Sequence, residues 1–214
     1  MSENPFKPIS LGIDQTRKSM SREEQRAERE RLHIEEPRKA TPKDLEKLIA
    51  FRLAAYESED RGKIVSSQEE YLRVKNRTHQ EWEDIFLESE NRFAMLVSNG
   101  SEVVGMARAE FSKDVWELYN LFVKKGFRGI GISSIITVML LKEIQARGGK
   151  EVRAHIKEGN VESFGNVESF GFRKNDTEQG RAQKELDKGF WEVKLVDVNS
   201  PEVVKRINEV FNAR

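Results

Sequence analysis

Cysteine is absent from the 214 residues of this sequence, and histidine occurs only three times. The absence of cysteine excludes disulfide bonds, thiolate catalysis and cysteine-ligated metals. His33, His79 and His155 lack the spacing of metal ligands. We therefore interpret the histidines as ordinary surface or strand residues and expect no bound metal.

Long apolar runs are absent as well, which argues against a membrane-spanning segment. The first residues are polar and contain proline, unlike the apolar centre of a secretory signal peptide. We therefore expect a cytoplasmic protein that does not associate with membranes.

An excess of either charge is also missing, since 37 lysine and arginine residues balance 37 aspartate and glutamate residues. A neutral chain has no overall field that would attract nucleic acid, so nucleic acid is not expected as a partner. The sequence still places three basic residues, Lys124, Lys125 and Arg128, close together.

The composition divides the chain into three parts. Residues 1–31 form a polar N-terminal arm and a charged helix, in which Ser21 and Glu24 have the spacing of a capping box. This helix has almost no apolar residue, so we interpret it as a solvated helix. Residues 32–198 form the main domain, and residues 199–214 form a C-terminal helix.

The periodicity of apolar residues predicts the elements of the main domain. Leu32, Ile34 and Glu36 alternate with polar residues and predict a first strand. The other predicted elements are helices over 41–56 and 79–89, an antiparallel meander over 92–98, 102–111 and 115–123, a helix over 132–146, a strand over 152–156, a helix over 160–169, a strand that starts at Phe172, a charged loop over 173–189 and a strand over 190–198. This order predicts an α/β (α+β) fold.

The most informative segment is a glycine turn between the apolar strand 117–123 and the apolar helix that begins near Ile132. Gly129 and Gly131 permit positive φ angles and a close approach of the backbone to a ligand. Such a turn directs backbone N–H groups outward at the positive end of a helix, which favours phosphate binding. No Gly-Lys-Ser/Thr follows, so the turn is not a P-loop.

This turn and its surroundings resemble the GNAT superfamily of acetyl-CoA-dependent N-acetyltransferases, over residues 32–198. The segment from Arg128 to Ser133 is similar to the Arg/Gln-x-x-Gly-x-Gly/Ala turn of that family, with serine in the last position. Downstream, Asn160 followed by Gly171-Phe172 resembles the family's helix that begins with asparagine and ends in Gly-Phe. The resemblance implies a mixed, mostly antiparallel six- to seven-stranded sheet flanked by helices.

The resemblance also implies acetyl-CoA (coenzyme A) as the co-substrate, without a metal. In the family the turn holds the pyrophosphate on backbone N–H groups, and the asparagine contacts the pantetheine arm. Asn160 also has the position of a plain helix cap, and both roles are compatible. The residues that the resemblance assigns to coenzyme A are Leu121, Phe122, Val123, Arg128, Gly129, Ile130, Gly131, Ile132, Ser133 and Asn160.

Acetyl transfer needs a general base for the amine and a proton for the departing thiolate. Glu117 is the candidate base, because some family members carry a glutamate eleven residues before the arginine of the turn; a structural ion pair is the alternative. Alternation places every second residue from Glu117 to Val123 on one face unless a bulge intervenes. Val167 replaces the usual tyrosine acid, so Tyr119 or water is the candidate acid, unless the thiolate leaves unprotonated.

The resemblance predicts an acyltransferase whose acceptor is a primary amine of a small molecule, protein or peptide. A coenzyme A-binding module with a sensing or interaction role is the alternative, and the helix over 21–31 is a candidate docking element for a protein substrate. The acceptor would be lined by residues 57–90 and 173–189, where acidic residues such as Glu59 and Asp60 favour a cationic acceptor or simply form a solvated loop. Formation of a homodimer is left open.

Overall fold

A seven-stranded mixed sheet forms the centre of the computed structural model, which describes residues 20–57, 68–186, 190–195 and 197–212. The strands are β1 (Arg38–Lys39), β2 (Arg92–Asn99), β3 (Glu102–Ser112), β4 (Val115–Val123), β5 (Val152–Lys157), β6 (Arg173–Lys174) and β7 (Phe190–Leu195). Their order across the sheet is β1-β2-β3-β4-β5-β7-β6, and among these strands only β4 and β5 pair in parallel. The sheet confirms the predicted fold class.

Helices cover both faces of this sheet. They are α1 (Arg22–Arg31), α2 (Leu45–Glu57), α3 (Gln68–Lys75), α4 (His79–Phe86), α5 (Ile132–Ala146), α6 (Val161–Glu168), α7 (Glu178–Leu186) and α8 (Pro201–Asn212). Helix α5 packs on one face with α8 against it, and helices α2 and α4 pack on the other face. None of the helices in the described part of the chain has both the length and the apolar character needed to cross a membrane.

Helix α5 lies directly against strand β3 because β3 contains a glycine at the point of contact. A Cβ atom on Gly105 would lie 2.8 Å from Ile132 Cγ2 and 3.0 Å from Ile136 Cδ1. Both isoleucines are buried in the larger hydrophobic core. This close packing holds the N-terminus of α5 beside the end of β4.

A bulge in β4 changes which side chains share a face of the sheet. The register with β3 shifts between Met106 and Arg108, and Asn120 adopts a left-handed φ of +59°. After the bulge, Phe122 packs in the same core as α2, whereas Val123 packs in the core beneath α5. The bulge is the exception that the prediction of alternation allowed, because the extra residue reverses the pattern after Tyr119.

The strand predicted around Leu32, Ile34 and Glu36 is also wrong. The Leu32 N–H donates to Glu28 O and ends α1, and His33 follows with a left-handed φ of +50°. Ile34 forms one isolated bridge with Asn99, and regular pairing starts only at β1. The apolar residues alternate here because they pack against the core after a turn.

The charged segment 173–189 is not simply a loop. It contains strand β6 and helix α7, and β6 pairs with β7 at the edge of the sheet. Strand β6 agrees with the strand predicted to start at Phe172, although it lies within the segment predicted as a loop. The high charge concealed only α7, because a surface helix needs few apolar residues. The other predicted helices and the meander are confirmed, with ends that differ by a few residues.

Helix α1 begins at the predicted capping box, in which the Ser21 and Glu24 side chains each bond the other residue's backbone N–H. The prediction that this helix is wholly solvated is wrong. Arg29 is only 8% exposed, and its Nη1 atom donates to the Ile130 carbonyl at 2.7 Å. The predicted flexible arm before it falls on residues 1–19, which lie outside the described residues.

The buried contact of Arg29 predicts a measurable loss of stability on mutation. We expect Arg29→Ala to lower the free energy of unfolding by about 1.5–3 kcal/mol, because it removes a charge-assisted hydrogen bond from a buried carbonyl. Urea unfolding would measure this change. The control is Arg26→Ala on the same helix, which removes only an exposed pair with Glu30. Equal losses in the two variants would contradict the assignment.

Candidate active site

The candidate site is a cavity of about 680 Å³ between strands β4 and β5. These strands pair over only three residues, and their pairing ends at Leu118 and Ala154. Beyond this point residues 118–123 of β4 and 154–157 of β5 line the cavity. Its volume lies within the range of about 300–1,000 Å³ that is usual for small-molecule sites.

The glycine turn lies at one end of this cavity. Gly129 and Gly131 both have a φ of +81°, which explains why the turn needs glycine. Gly131 is the residue before α5 and has no side chain with which to cap the first N–H groups of the helix. Ser133 and Ser134 of this first turn line the cavity. The turn therefore presents the positive end of α5 to the cavity, which fits a phosphate group.

Arg128 braces the turn against β4. Its Nε atom donates to the Val123 carbonyl at 2.8 Å, and its guanidinium carbon lies 5.3 Å from the centre of the Phe122 ring. Asn160 caps α6, because its Oδ1 atom accepts a bond from the Ser163 N–H at 3.2 Å. Asn160 is thus a helix cap, and it also lines the cavity.

Nearly all residues that the sequence assigned to coenzyme A meet in this one cavity. Those that line it are Leu121, Phe122, Val123, Arg128, Gly129, Gly131, Ile132, Ser133 and Asn160. Ile130 is the exception: its side chain is fully buried in the core, and its carbonyl accepts the bond from Arg29.

Helix α1 covers the turn, which the sequence analysis did not foresee. A Cβ atom on Gly131 would lie 2.7 Å from Gln25 Oε1 and 3.0 Å from Arg29 Nη1. Gln25 also lines the cavity. The backbone conformation, with a φ of +81°, is what requires glycine at position 131, and a Cβ atom there would also displace the ends of the Gln25 and Arg29 side chains.

A second polar group that the sequence analysis missed joins α5 to α6. Ser134 Oγ donates to Asn166 Oδ1 at 3.1 Å, and Asn166 Nδ2 donates to Thr137 Oγ1 at 2.9 Å. All three residues line the cavity. In the sequence, the only signal of this group was Thr137, a polar residue within an apolar helix, and the structure shows that it is fully buried. Val167, beside it, is also buried and supplies no proton.

Glu117 lies at the centre of an ion-pair network on the α2 side of the sheet. Its Oε2 atom accepts from Arg153 Nε at 3.1 Å, and its Oε1 atom lies 2.8 Å from His155 Nδ1. The carboxylate is almost fully buried. Burial raises the pKa of Glu117, but the bonds from His155 and Tyr119 and the charge of Arg153 lower its pKa below the usual value overall.

His155 connects this carboxylate to the cavity. An ionised carboxylate can only accept, so the Nδ1 atom of His155 carries a proton, and in the neutral ring the Nε2 atom then carries the lone pair. His155 lines the cavity, whereas Glu117 is not among its lining residues. We interpreted this histidine as an ordinary strand residue, because its partner is 38 positions away in the sequence.

Tyr119 lines the same part of the cavity as His155. Burial and the neighbouring Glu117 carboxylate raise the pKa of the Tyr119 phenol above its usual value. The phenol is therefore protonated at neutral pH. The guanidinium carbon of Arg108 lies 4.3 Å from the centre of the Tyr119 ring.

No cluster of side chains suited to holding a metal ion occurs within the ranges that the structure describes. The cavity itself offers a glycine turn that suits a phosphate group, a carboxylate-bound histidine and a protonated phenol. These groups suit proton transfer to and from a substrate that is held by its phosphate.

Comparison with known proteins gives a family for this arrangement. A model of the acetyltransferase (GNAT) family matches residues 52–172, which is more than half of the 214-residue chain. The match includes the glycine turn, Glu117, His155 and Asn160. No curated protein matches the sequence.

Solved acetyltransferases share the fold at low sequence identity. PaiA N-acetyltransferase from Thermoplasma acidophilum, solved with coenzyme A, is 19% identical with a TM-score of 0.61, over 75% of this chain and 97% of its own. A GNAT family acetyltransferase from Staphylococcus aureus Mu50 is 17% identical with a TM-score of 0.58, over 75% of this chain and 97% of its own. Aminoglycoside 6′-acetyltransferase type Ii is 19% identical with a TM-score of 0.56, over 77% of this chain and 99% of its own.

The lowered pKa of Glu117 predicts how its contribution to stability depends on pH. The native state binds this proton more weakly than the unfolded chain, whose reference pKa is 4.5, so the ionised carboxylate stabilises the fold above that pH. The contribution is lost as the pH falls through the lowered pKa. We expect Glu117→Gln to be destabilised at about pH 7, with a smaller difference from wild type at about pH 3.

Urea unfolding at the two pH values measures this difference. Glu90→Gln is the control, because Glu90 is exposed and outside the network. A Glu117→Gln difference that is the same at both pH values would contradict the ion pair.

Proposed function

This chain belongs to the acetyltransferase (GNAT) family, and we propose that it transfers the acetyl group of acetyl-CoA to a primary amine. One observation carries the proposal: a single cavity contains both the glycine turn at the N-terminus of α5 and a histidine held by a buried carboxylate. The first suits the pyrophosphate of the donor, and the second suits removal of a proton from the acceptor.

The chain offers separate groups for each part of coenzyme A. The N–H groups at Gly131 and Ser133 would bind the pyrophosphate. The half of β4 that no longer pairs with β5 would offer backbone groups to the amides of the pantetheine arm, together with Asn160. A fold neighbour that holds coenzyme A supports this choice of co-substrate. When bound, acetyl-CoA supplies an acetyl group that is activated as a thioester.

His155 is the proposed proton acceptor. Its Nε2 atom takes the proton that the amine must lose as the new C–N bond forms and the C–S bond breaks. Glu117 Oε1 holds the ring in the required tautomer and stabilises the imidazolium that results. In this proposal Glu117 acts through His155, whereas the sequence suggested direct proton removal by Glu117.

Tyr119 is the proposed proton donor. Its phenol keeps its proton at neutral pH, because burial and the Glu117 carboxylate raise its pKa. It lines the cavity beside His155, so it takes the role for which Val167 has no suitable group. Protonation of the departing thiolate would restore the neutral thiol of coenzyme A.

The direct test is an acceptor screen with acetyl-CoA. Purified protein is incubated with polyamines, amino acids, aminoglycosides and peptides, while thiol release and the acetylated product are measured. We expect thiol release that depends on one class of amine, with a product heavier by one acetyl group. Binding of coenzyme A without acetylation of any amine would instead support the coenzyme A-binding module.

The proposed roles of His155 and Glu117 predict different pH profiles. We expect His155→Gln to lower kcat by about 100-fold or more and to remove the acid limb of the pH–rate profile. Glu117→Gln should lower kcat less and move the acid limb to lower pH, because the imidazolium loses its carboxylate partner. His79→Gln, at an exposed histidine on α4, is the control. A larger loss in Glu117→Gln than in His155→Gln would favour direct proton removal by Glu117.

The glycine turn predicts a second, separable effect on coenzyme A binding. Gly131→Ala should weaken binding at least about tenfold, because the φ of +81° is unfavourable for alanine and a change of the backbone there would redirect the N–H groups of the turn. Gly126→Ala is the matched control, since a Cβ atom at that position has no neighbour within 4 Å. Calorimetric titration with coenzyme A measures both affinities. Unchanged binding by Gly131→Ala would exclude the turn as the phosphate site.

A further inference from the structure

Arginine side chains dominate the cavity on the α2 side of the sheet. Four of them, Arg52, Arg73, Arg77 and Arg108, line this side, and we refer to them as the arginine cluster. They come from α2, from α3 and the residues after it, and from β3. Of the cavity-lining residues that the structure describes, only Glu162 on α6 carries a carboxylate. Among the described residues, this side of the cavity therefore carries an excess of positive charge.

Arg52 is the most unusual member of the arginine cluster. It is only 6% exposed, and its Nη2 atom donates to the Tyr56 hydroxyl at 2.6 Å. Its guanidinium carbon also lies 4.3 Å from the centre of the Tyr56 ring. Among the described residues it has no carboxylate partner. Burial lowers the pKa of Arg52, and the charges of Arg108 and Arg77 lower it further.

The other members of the cluster leave most of this charge uncompensated. Arg77 stacks on Trp82 at 5.3 Å and has no ion pair with a described residue. Arg108 pairs with Glu110, but its Nε atom is buried without a hydrogen-bond partner among the described residues. A buried guanidinium without an anion is unfavourable, because its lost hydration is not replaced. An anionic ligand would supply the missing partner.

The cluster also adjoins the proposed reaction centre. Arg108 stacks on Tyr119, and Tyr119 is near enough to Glu117 for each to shift the pKa of the other, while Glu117 holds His155. An anion bound by the cluster would therefore lie beside the groups that move protons. We propose that the acceptor is a small amine that carries its own carboxylate, as an amino acid does, and that Arg52 binds this carboxylate. The planar guanidinium presents paired N–H groups that match the two oxygens of a carboxylate.

This inference rests on the proposed acetyl transfer and narrows its acceptor. The acidic residues of the sequence favoured a cationic acceptor, whereas the arginine cluster favours an acceptor that carries an anionic group. Glu59 and Asp60 lie outside the described residues, and Glu57 bonds to Tyr71 on the surface. Polyamines and aminoglycosides carry several positive charges, so the arginine cluster would repel them.

The experiment compares acceptors that differ only in their charge. Amino acids, the corresponding amino acid amides, an amino sugar phosphate and a polyamine are each assayed for kcat/KM by thiol release. We expect the amino acid to exceed its amide by at least about tenfold, because only the acid has a carboxylate for Arg52. Equal use of acid and amide, or preference for the sugar phosphate or the polyamine, would overturn the proposal.

Variants of Arg52 test the residue itself. We expect Arg52→Gln to raise KM for the amino acid at least about tenfold and to abolish the preference over the amide, with Arg52→Lys intermediate. Coenzyme A binding should be unchanged, which shows that the variant is folded. Arg26→Gln, on the exposed face of α1, is the control. A preference that survives in Arg52→Gln would overturn the assignment.

Stability separates carboxylate binding from a purely structural role. Without ligand, Arg52→Gln should unfold at the same or a higher temperature than wild type, because a buried unpaired charge is removed. A large fall in that temperature would assign Arg52 to the fold. If no amine is acetylated, the proposed function fails. Calorimetric binding of the amino acid and its amide to the coenzyme A-bound protein then still tests the carboxylate site.

Discussion

The separation of β4 from β5 is the constraint on which the rest of this structure depends. The two strands pair over three residues and then diverge, and the bulge at Asn120 redirects β4 as it leaves its neighbour. This divergence opens the cavity within the sheet and leaves backbone groups of β4 facing it. Because α5 packs directly on Gly105, its N-terminus is held at the end of the diverging strand. The divergence of the strands and the packing of Ile132 and Ile136 on Gly105 thus set the place of the glycine turn.

Charge is distributed around this cavity in three separate groups. The glycine turn presents the positive end of α5, the Glu117 network balances one carboxylate against Arg153 and His155, and the arginine cluster on the α2 side lacks matching carboxylates among the described residues. The glycine turn is the proposed site of the donor, and the charges of the Glu117 network balance within the protein. The arginine cluster would lower the stability of the protein without ligand, because most of its charge lacks partners among the described residues. Such local cost is typical of binding sites, where the fold elsewhere supplies the stability that holds unfavourable groups in place.

Sequence reasoning succeeded where the signal depends on residues close together in the chain. The capping box at Ser21 and the turn around Gly131 each rest on a few adjacent residues, and the structure contains both. Sequence reasoning failed where packing against distant residues produced a misleading pattern. The alternation from Leu32 to Glu36 arises from a turn onto the core, and the high charge of segment 173–189 concealed α7.

The sequence by itself determined the order of the elements and the glycine turn, because glycine conformations and apolar periodicity act over short distances. Only the tertiary structure decided which side chains meet in the cavity. The pairing of Glu117 with His155 depends on the register of two parallel strands, and the approach of Arg29 to the turn spans 101 positions of the chain. The arginine cluster likewise joins α2 to β3 across the sheet. Local propensities carry no information about such contacts, because strand register and helix packing set them.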